Sequence, residues 1–422
     1  MAARGARVTK RRISIMRETT LGTGDTGTIK HISAIQEEAL APLQETYDDQ
    51  SQANDRNYQL PPWLGNKSNT LGFKVPYHKN LIVNLADVFE STFGTIRGST
   101  NLTGVAYTTV SFTYSAGTPH DWVIFEDAGG RLIPRPVVRV IAGSPSTAHL
   151  GFALPTGYTP TSVKNPNQYG ATTGKCLAEN PNAAFLSLQS QIDRPGEPDV
   201  VNYVLKGMVP NLLRLQMQQG QRRMVEAGFM GTDWTQETGA NLADAAKPVK
   251  QGASLRTECY ILSDFASLGA DPVATPIISY NINVAPEWLK LDSSVGRAGS
   301  DEDVIPASSV IEWRKGRSLV EGTMEIVTRF SSTDWEAARA AETDLDIAII
   351  DYIGNPAGAF SGDMVCHFYP KARIKEITTP GNNGVDGNRL LLHLRDERDV
   401  GTSAGNMSSG LIRKHDFAQF IS

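Results

Sequence analysis

A chain of 422 residues with 40% hydrophobic residues, 20% charged residues and a formal charge of −5 has the composition of a folded globular protein. It is long enough for two or three average domains, and its mild acidity argues against binding of nucleic acid through a basic surface. No apolar run approaches the roughly 18 to 20 residues of a transmembrane helix, and no apolar stretch of signal-peptide type follows the basic N-terminus.

The first 65 residues are polar and carry few strand patterns, which predicts an N-terminal arm and extended segment over residues 1–65. Residues 1 to about 16 have almost no apolar anchor, so we expect them to be mobile in the free protein. A solvated terminal arm is the favoured interpretation, and contact with an acidic partner surface or nucleic acid is the alternative. The basic residues of this arm are Arg4, Arg7, Lys10, Arg11, Arg12 and Arg17.

The segment Gly22–Gly27 (GTGDTG) satisfies the G-x-G-x-x-G fingerprint of dinucleotide-binding proteins. In those proteins the glycines follow a buried strand and let backbone amides approach a pyrophosphate at a helix N-terminus. Here the preceding residues Arg17–Thr20 are not a buried strand, and no βαβ pattern follows. A bend rich in glycine and threonine is therefore favoured over a nucleotide site.

The 38 glycines and 23 prolines fall between short alternating runs, which is typical of an all-β chain with many turns. The clearest strand is Leu213–Gln218, where apolar and polar side chains alternate, and Arg222–Phe229 is its predicted hairpin partner. Several other candidates are amphipathic, as expected of antiparallel sheets with one face on a core. The other candidates are Leu71–Pro76, Tyr107–Tyr114, Phe185–Ile192, Tyr203–Val209, Met324–Phe330, Leu345–Tyr352, Met364–Tyr369, Ile374–Ile377 and Leu390–Leu394.

Two helices are predicted between these strands. The first is Asn84–Phe93, which has apolar residues at helical spacing and is stopped by Gly94. The second opens at the capping box formed by Thr333 and Glu336 and continues to Glu342. Each helix follows a short strand and precedes strands punctuated by glycine, so the pattern predicts an internal duplication of one module.

These patterns divide the chain beyond its arm into three parts. A first β module spans residues 66–250, a second spans 251–378, and a C-terminal hairpin and tail span 379–422. The first module contains an insertion loop at 155–182, about twice as long as structureless loops usually are in compact domains. The predicted fold class is mostly β, with two antiparallel β-sandwich or barrel modules that each pack one α-helix.

The cysteines and histidines form no metal site or disulfide framework. Cys176, Cys259 and Cys366 are odd in number and widely spaced, which favours buried reduced thiols. Cys366 and His367 are adjacent, and adjacent strand residues point to opposite faces of a sheet, so the two side chains cannot easily share one ion.

The carboxylates offer no catalytic pair. Asp346, Asp351 and Asp363 lie near one another in the sequence, but we interpret them as surface or turn residues. No serine-hydrolase elbow, phosphate-binding loop or H-E-x-x-H zinc motif occurs. A chain this long without catalytic, cofactor or metal chemistry predicts a structural protein rather than an enzyme.

The order of several segments is similar to that of a known family. Arg17–Thr23 (RETTLGT) looks like that family's E-T-x-x-G-T opening. Asp48–Arg56 and Gly65–Gly72, which lead to the predicted helix Asn84–Phe93, look like its next block.

The later segments extend this likeness over most of the chain. Phe185–Ile192 and Tyr203–Phe229 look like the family's central block, with Tyr203, Gly207, Leu213, Leu215 and Gly220 at matching positions. Gly322–Phe330 and Tyr369–Pro370 resemble its C-terminal part. The chain thus resembles the tail tube (major tail) proteins of long-tailed bacteriophages.

The resemblance implies a structural protein of the virion, assembled in the bacterial host cytoplasm into the phage tail. It implies β-sandwich tail-tube modules whose strands join those of neighbouring copies in a barrel around the DNA conduit. Rings of three or six chains would stack into a tube, and the N-terminal arm or the 155–182 segment would reach the next ring. A ring closes exposed strand edges by symmetry, and two modules per chain favour three chains for a sixfold arrangement.

The partners implied are other copies of the chain, a tape measure protein, and tail terminator or tail-tip proteins. Genomic DNA would pass without specific binding, since a neutral or negative lumen does not hold it. No membrane partner or cofactor is implied.

Three alternatives remain at this point. The nearest is another virion structural protein, for capsid decoration or tail termination. A carbohydrate-binding tail-tip β-sandwich would carry clustered exposed aromatic residues, whereas the tryptophans are dispersed. The third is an enzyme that uses the glycine-rich bend to bind a nucleotide. The tryptophans are Trp63, Trp122, Trp234, Trp288, Trp313 and Trp335.

Overall fold

The computed structural model is mostly β, and all its described strand pairs are antiparallel, which confirms the predicted mostly β, antiparallel fold class. The division into two modules stays a prediction. The described residues are 10–19, 29–32, 37–47, 63–76, 100–119, 122–151, 153–165, 174–177, 185–193, 201–218, 223–238, 256–262, 277–292, 310–327, 332–343, 345–353, 363–378, 387–393 and 416–420, with single residues at 21, 35, 85, 87, 88, 91 and 221.

Twenty-four strands and one helix are described from end to end in this part of the chain. The first twelve strands are β1 (Lys10–Glu18), β2 (Lys30–Ile32), β3 (Glu37–Tyr47), β4 (Trp63–Pro76), β5 (Thr100–Thr103), β6 (Ala106–Tyr107), β7 (Ser111–Tyr114), β8 (Ala116–Thr118), β9 (Trp122–Asp127), β10 (Leu132–Ile141), β11 (Ser146–Leu150) and β12 (Pro160–Lys164). The remaining elements are β13 (Gly174–Leu177), β14 (Phe185–Asp193), β15 (Val201–Gln218), β16 (Met224–Gly231), β17 (Asp233–Thr238), β18 (Arg256–Leu262), β19 (Ile277–Asp292), β20 (Val310–Val327), α1 (Ser332–Ala340), β21 (Leu345–Ile353), β22 (Asp363–Thr378), β23 (Gly387–His393) and β24 (Asp416–Phe420).

Strand β15 is shared by two parts of the sixteen-stranded main sheet. Its N-terminal half pairs with β14 and β17, and its C-terminal half pairs with β16 and β19. The change of partners follows Gly207, which has φ +60° and whose amide donates a 2.9 Å hydrogen bond to the buried carboxylate of Glu18. Strand β16 continues through Thr232 into β17, and both strands pair with β15. The two sides of the hairpin 201–238 therefore both change their neighbouring strands at this corner.

The main core lies against one face of this sheet. Phe73 of β4 and Phe229 of β16 are fully buried there, with ring centroids 5.7 Å apart. Residues of β1, β14 and β21 pack in the same cluster, and Trp335 and Ala338 of α1 pack against it. Burial of this apolar face is the main favourable contribution to folding.

Eight consecutive strands of the main sheet follow the spatial order β3-β4-β16-β15-β19-β20-β23-β22. The order repeats itself after four strands. The hairpin β3–β4 lies beside β16–β15 in the first half, and the hairpin β19–β20 lies beside β23–β22 in the second. Strand β14 pairs with β15 on its N-terminal side, and β21 pairs with β22 in the same way.

Two register shifts recur at corresponding places in the two halves. A shift in the β14–β15 pairing has a counterpart in β21–β22, and a shift in β15–β16 has a counterpart in β22–β23. The shifts lie between Leu186 and Leu188, between Leu345 and Ile347, between Pro210 and Leu212, and between Ile374 and Glu376.

A smaller sheet of six strands, in the order β12-β9-β10-β11-β7-β6, has a separate core. Phe112 and Phe125 are fully buried in that core and meet edge to face, with ring centroids 6.1 Å apart. The guanidinium of Arg135 lies 5.8 Å from the ring centroid of Tyr260, so a cation–π contact joins this sheet to β18 of the main sheet.

The two ends of this smaller unit lie side by side. Thr100, in the accompanying β5–β8 pair, is directly opposite Thr118. The side-chain amide of Asn165, just after β12, donates a 2.8 Å hydrogen bond to the carbonyl of Thr118. Segment 100–165 therefore leaves and rejoins the rest of the chain at one place.

The structure corrects the predicted N-terminal arm. Strand β1 lies between β14 and β2, and Ile13, Ile15 and Met16 are buried, so the predicted mobility of residues 1 to about 16 is wrong from Lys10 onwards. Four successive residues of β1 are buried because both its faces are covered, and that removes the alternation that marks a half-exposed strand. Strands β2, β3 and β4 also begin within the first 65 residues.

Several strand boundaries also differ from the sequence analysis. The separate candidates Tyr203–Val209 and Leu213–Gln218 are one strand, β15, and the two candidates within 363–378 are one strand, β22. The candidate Tyr107–Tyr114 is two short strands joined by a turn. Segment 155–182, expected to be a loop, contains β12, whose Val163 is buried, and β13.

The two predicted helices agree in part with the structure. Helix α1 begins at Ser332, so Thr333 lies in its first turn rather than before it. In the segment predicted as the first helix, Asp87, Val88 and Ser91 have helical backbone, and Leu85 and Val88 are fully buried in the main core. Its ends lie outside the described residues.

We expect substitution Gly207→Ala to lower the free energy of unfolding by roughly 3 kcal/mol, because it adds strain and overpacking at the corner of β15. A Cβ atom there would lie 2.4 Å from Thr232 Oγ1. Gly157→Ala is the matched control, since Gly157 also has positive φ (+79°) but no atom lies within 4 Å of the added Cβ. The control should cost about 1 kcal/mol in chemical denaturation, and equal losses would contradict the steric role of the corner.

Candidate assembly surfaces

Two hairpins project beyond the sheet at the same end. Strands β3 and β4 stay paired past the last partner of β16, to Tyr47 opposite Trp63. Strands β19 and β20 stay paired past the last partners of β15 and β23, to Asp292 opposite Val310. Because the intervening strands alternate in direction, both extensions leave the sheet at one end.

The second projecting hairpin is fixed at its base and exposed further out. Trp288 Nε1 donates a 2.6 Å hydrogen bond to the carbonyl of Pro210 in β15. Leu289, the next residue, is 59% exposed, the largest exposed fraction of any large hydrophobic side chain in the described part of the chain. An exposed leucine on a projecting ribbon is a candidate contact with another molecule.

The eight-stranded run ends in two edges. Among the described strands, β4 is the ladder partner of β3, and β23 is the ladder partner of the final residues of β22, Arg373–Thr378. An outer strand of a sheet can template pairing with another chain. Pro42 interrupts the donors of β3, as prolines on edge strands do. The hydroxyl of the buried Ser190 donates to Glu38, which ties the β3 edge to β14.

Where its side chains are described, on β3, β4, β15, β16, β19 and the end of β22, the face of the run opposite the core is mostly polar, and we call it the open face. Its side chains are half-buried or exposed, in contrast to the neighbouring residues on the same strands, which point into the core. The open face carries Lys74, Arg214, Gln216, Gln218, Glu226, Asn281 and Asn283.

Charges on the open face are neutralised locally. Arg214 Nη1 lies 2.9 Å from Glu226 Oε2, and Arg214 Nε donates a 2.6 Å hydrogen bond to Asn283 Oδ1. Lys74 stands in register between Glu226 and Glu37 on the two flanking strands. Acidic and basic positions thus alternate across the first four strands, and the described open face has no uncompensated cationic patch.

A buried polar cluster joins the two halves of the main sheet. Asp351 of β21 is 1% exposed, and its carboxylate lies 3.2 Å from Arg223 Nη2. The hydroxyls of Thr257 and Tyr280 donate to the same carboxylate, at 2.7 and 2.5 Å. Arg223 lies just before β16, whereas Thr257, Tyr280 and Asp351 lie on β18, β19 and β21.

This cluster corrects the interpretation of Asp351 as a surface or turn residue. No sequence pattern indicates this cluster, because Arg223 and Asp351 are far apart in the chain and only the fold brings them together. Cys259, also buried nearby, accords with the predicted buried thiol, and burial together with the Asp351 charge raises the pKa of its thiol. A thiol held protonated in this way is unreactive.

The other residues considered in the sequence analysis lie wholly or in their side chains outside the described residues. Gly22–Gly27 lies outside the described residues. Cys366 and His367 lie on β22, Cys176 on β13, and Asp346 and Asp363 on β21 and β22, but their side chains lie outside the description. In the described part of the chain, no group of three or more His, Cys, Asp or Glu residues is arranged to hold a metal ion. No helix within that part has the length and apolarity to cross a membrane.

We expect Asp351→Asn to lower the free energy of unfolding by about 3–5 kcal/mol, because it leaves the buried Arg223 guanidinium without its counter-charge. Arg223→Met should cost a similar amount, and the double variant less than the sum of the two, as measured by chemical denaturation. Glu126→Gln is the control, since it breaks a part-exposed ion pair with Lys164 (2.6 Å) and should cost less than about 1 kcal/mol. If the double variant lost as much free energy of unfolding as the two single variants together, Arg223 and Asp351 would not be energetically coupled.

Comparison with known proteins finds one family. A family model described as phage tail tube protein matches residues 9–389, nearly the whole chain. No curated protein matches the sequence.

Proposed function

The chain belongs to the phage tail tube protein family, a family of structural proteins of the virion tail, and from this premise we propose that copies of it assemble into stacked rings that form the conduit for genomic DNA. The observation that carries the proposal is the eight-stranded run, which is covered on one face and polar on the other, and whose two outer strands each have a ladder partner on one side among the described strands. Joined edge to edge, such sheets close into a barrel without free edges.

The orientation of the sheet in the barrel follows from steric bulk. The core face carries the layer of β1, β14 and β21 and the helix α1, and this mass cannot fit inside a closed barrel. The open face therefore lines the bore. Its balanced charges suit a passive conduit, because an uncompensated cation would bind DNA phosphates by releasing counterions.

We favour three chains per ring, each with two modules. The repeated strand order, the two matching register shifts and the helix that follows the long hairpin in each half support an internal duplication. Three chains then present six similar modules around the axis. The division at residue 250 remains the sequence-based proposal.

The width of the bore also supports three chains per ring. Eight strands spaced about 4.8 Å apart and tilted by about 35–45°, as in barrels, occupy roughly 47–54 Å of circumference per chain. Three chains enclose a barrel roughly 45–52 Å across between backbones, and inward side chains reduce this by about 10 Å. That bore accepts one DNA duplex, whereas six chains would leave room for several side by side.

The two projecting hairpins suit contacts between rings, since both leave the sheet at one end and would reach the next ring along the axis. The tape measure protein inside the tube, and terminator or tip proteins at its ends, are the further partners proposed. We place assembly in the host cytoplasm, before the tail joins the virion.

We expect the purified protein to form tubes visible by negative-stain electron microscopy, and isolated rings to have the native mass of three chains. Three chains follow from two modules per chain. Six chains per ring would refute the duplication and leave the tube assignment intact. Rings that never stack would favour a tail terminator, and a stable monomer at high concentration would refute assembly.

We expect Glu226→Gln to make tubes retain DNA, because it removes the carboxylate that neutralises Arg214 on the open face. The measurement is nuclease-protected duplex DNA that sediments with the tubes, and retention should fall as salt rises from about 50 to 200 mM. Glu126→Gln is the matched control, since it frees Lys164 on the smaller sheet, away from the proposed bore. Equal protection of DNA by both variants, or by neither, would contradict a bore lined by the open face.

A further inference from the structure

The pairing between the two halves of one chain indicates how two copies of the chain would pair with each other. Within one chain the two halves of the eight-stranded run meet where β15 pairs with β19, and Arg214 is opposite Asn283 there. If the halves are repeats, the next junction places β22 of one copy beside β3 of its neighbour. Both are the outer strands of the run, and β22 continues beyond the point where its ladder with β21 ends, at Ala372.

The register shifts align β22 with β15. Each strand has one extra residue in its pairing with the following hairpin strand, Asn211 in β15 and Lys375 in β22. Asn211 and Lys375 are both exposed, as bulged residues on corresponding strands would be. Counting three residues onward from each, Thr378 occupies the position of Arg214.

The last residues of β4 and β20 align these two hairpin strands with each other. Met224, the first residue of β16, is opposite Pro76, the last residue of β4. Gly387, the first residue of β23, is opposite Val327, the last residue of β20. Pro76 therefore occupies the position of Val327.

The same alignment carries over to the outer strands of these hairpins. The residue two positions before the end of β4 is opposite Glu37. The residue two positions before the end of β20 is opposite Ser279. Glu37 thus corresponds to Ser279. Four residues further along each strand, Ala41 corresponds to Asn283.

We infer that adjacent copies pair through an antiparallel β22–β3 junction in which Thr378 of one copy is directly opposite Ala41 of the next. This inference rests on the proposed function, and it adds the edges and the register. The strand directions fit, because β22 runs parallel to β15 and β3 runs parallel to β19 through the intervening antiparallel strands. Thr378 is exposed and Ala41 is half-buried, and neither carries a charge that would oppose pairing.

The test is disulfide cross-linking of assembled tubes that carry Ala41→Cys together with Thr378→Cys. Directly opposite residues in antiparallel strands have Cα atoms about 4.5–5.5 Å apart, within the range of a disulfide. We expect oxidation to give covalent dimers and trimers on a denaturing gel, with no larger species if a ring holds three chains. Wild-type tubes oxidised in parallel give the background of the native cysteines.

Ala39→Cys with Thr378→Cys is the matched control, because a position two residues away lies about 7–8 Å from its diagonal partner, too far for a disulfide. Pro42→Cys with Ile377→Cys tests the adjacent pair of the same register and should cross-link. Tubes in which neither registered pair cross-links, or in which the control pair cross-links as well, overturn the register and leave the tube assignment standing. Absence of tubes from the wild-type protein would overturn the proposed function itself.

Discussion

One continuous strand has to serve two parts of the main sheet, and the rest of the fold is arranged around that demand. Strand β15 changes partners just after Gly207, where a positive φ and a close approach to Thr232 exclude any residue with a side chain. The corner lets β14 and β17 pair with one half while β16 and β19 pair with the other. The layer formed by β1, β14 and β21 then covers one face of the eight-stranded run and leaves the other open.

The same arrangement leaves the eight-stranded run with two outer strands. Hydrogen bonding within the chain satisfies the interior strands, whereas among the described strands β3 and the end of β22 each have a ladder partner on one side. Hydrophobic burial cannot replace strand pairing at such an edge, because the ladder joins polar backbone groups at the rim of the sheet. In the proposed ring, an identical chain would supply the second ladder partner without any new kind of contact.

The sequence predicted those strands that have one face buried and the other exposed to solvent. Leu213–Gln218 and Phe185–Ile192 alternate for this reason, and both lie within observed strands. Strand β1 was missed because it is covered on both faces, so Ser14 is buried between Ile13 and Ile15 and basic neighbours dominate the composition. Asp351 was misassigned because its burial depends on Arg223, and no local pattern links two residues so distant in the chain. The free edges could not be foreseen either, since pairing order is a property of the whole sheet.

The smaller six-stranded sheet departs and returns at neighbouring points, Thr100 and Asn165, and has a hydrophobic core of its own. A unit anchored in this way can be exchanged, enlarged or deleted without shifting the strands on either side of it. In a ring built as proposed, it would sit on the outer circumference. The outer surface of such a tail could therefore diversify under selection from its surroundings while the bore, which must fit an unchanging duplex, stays constant.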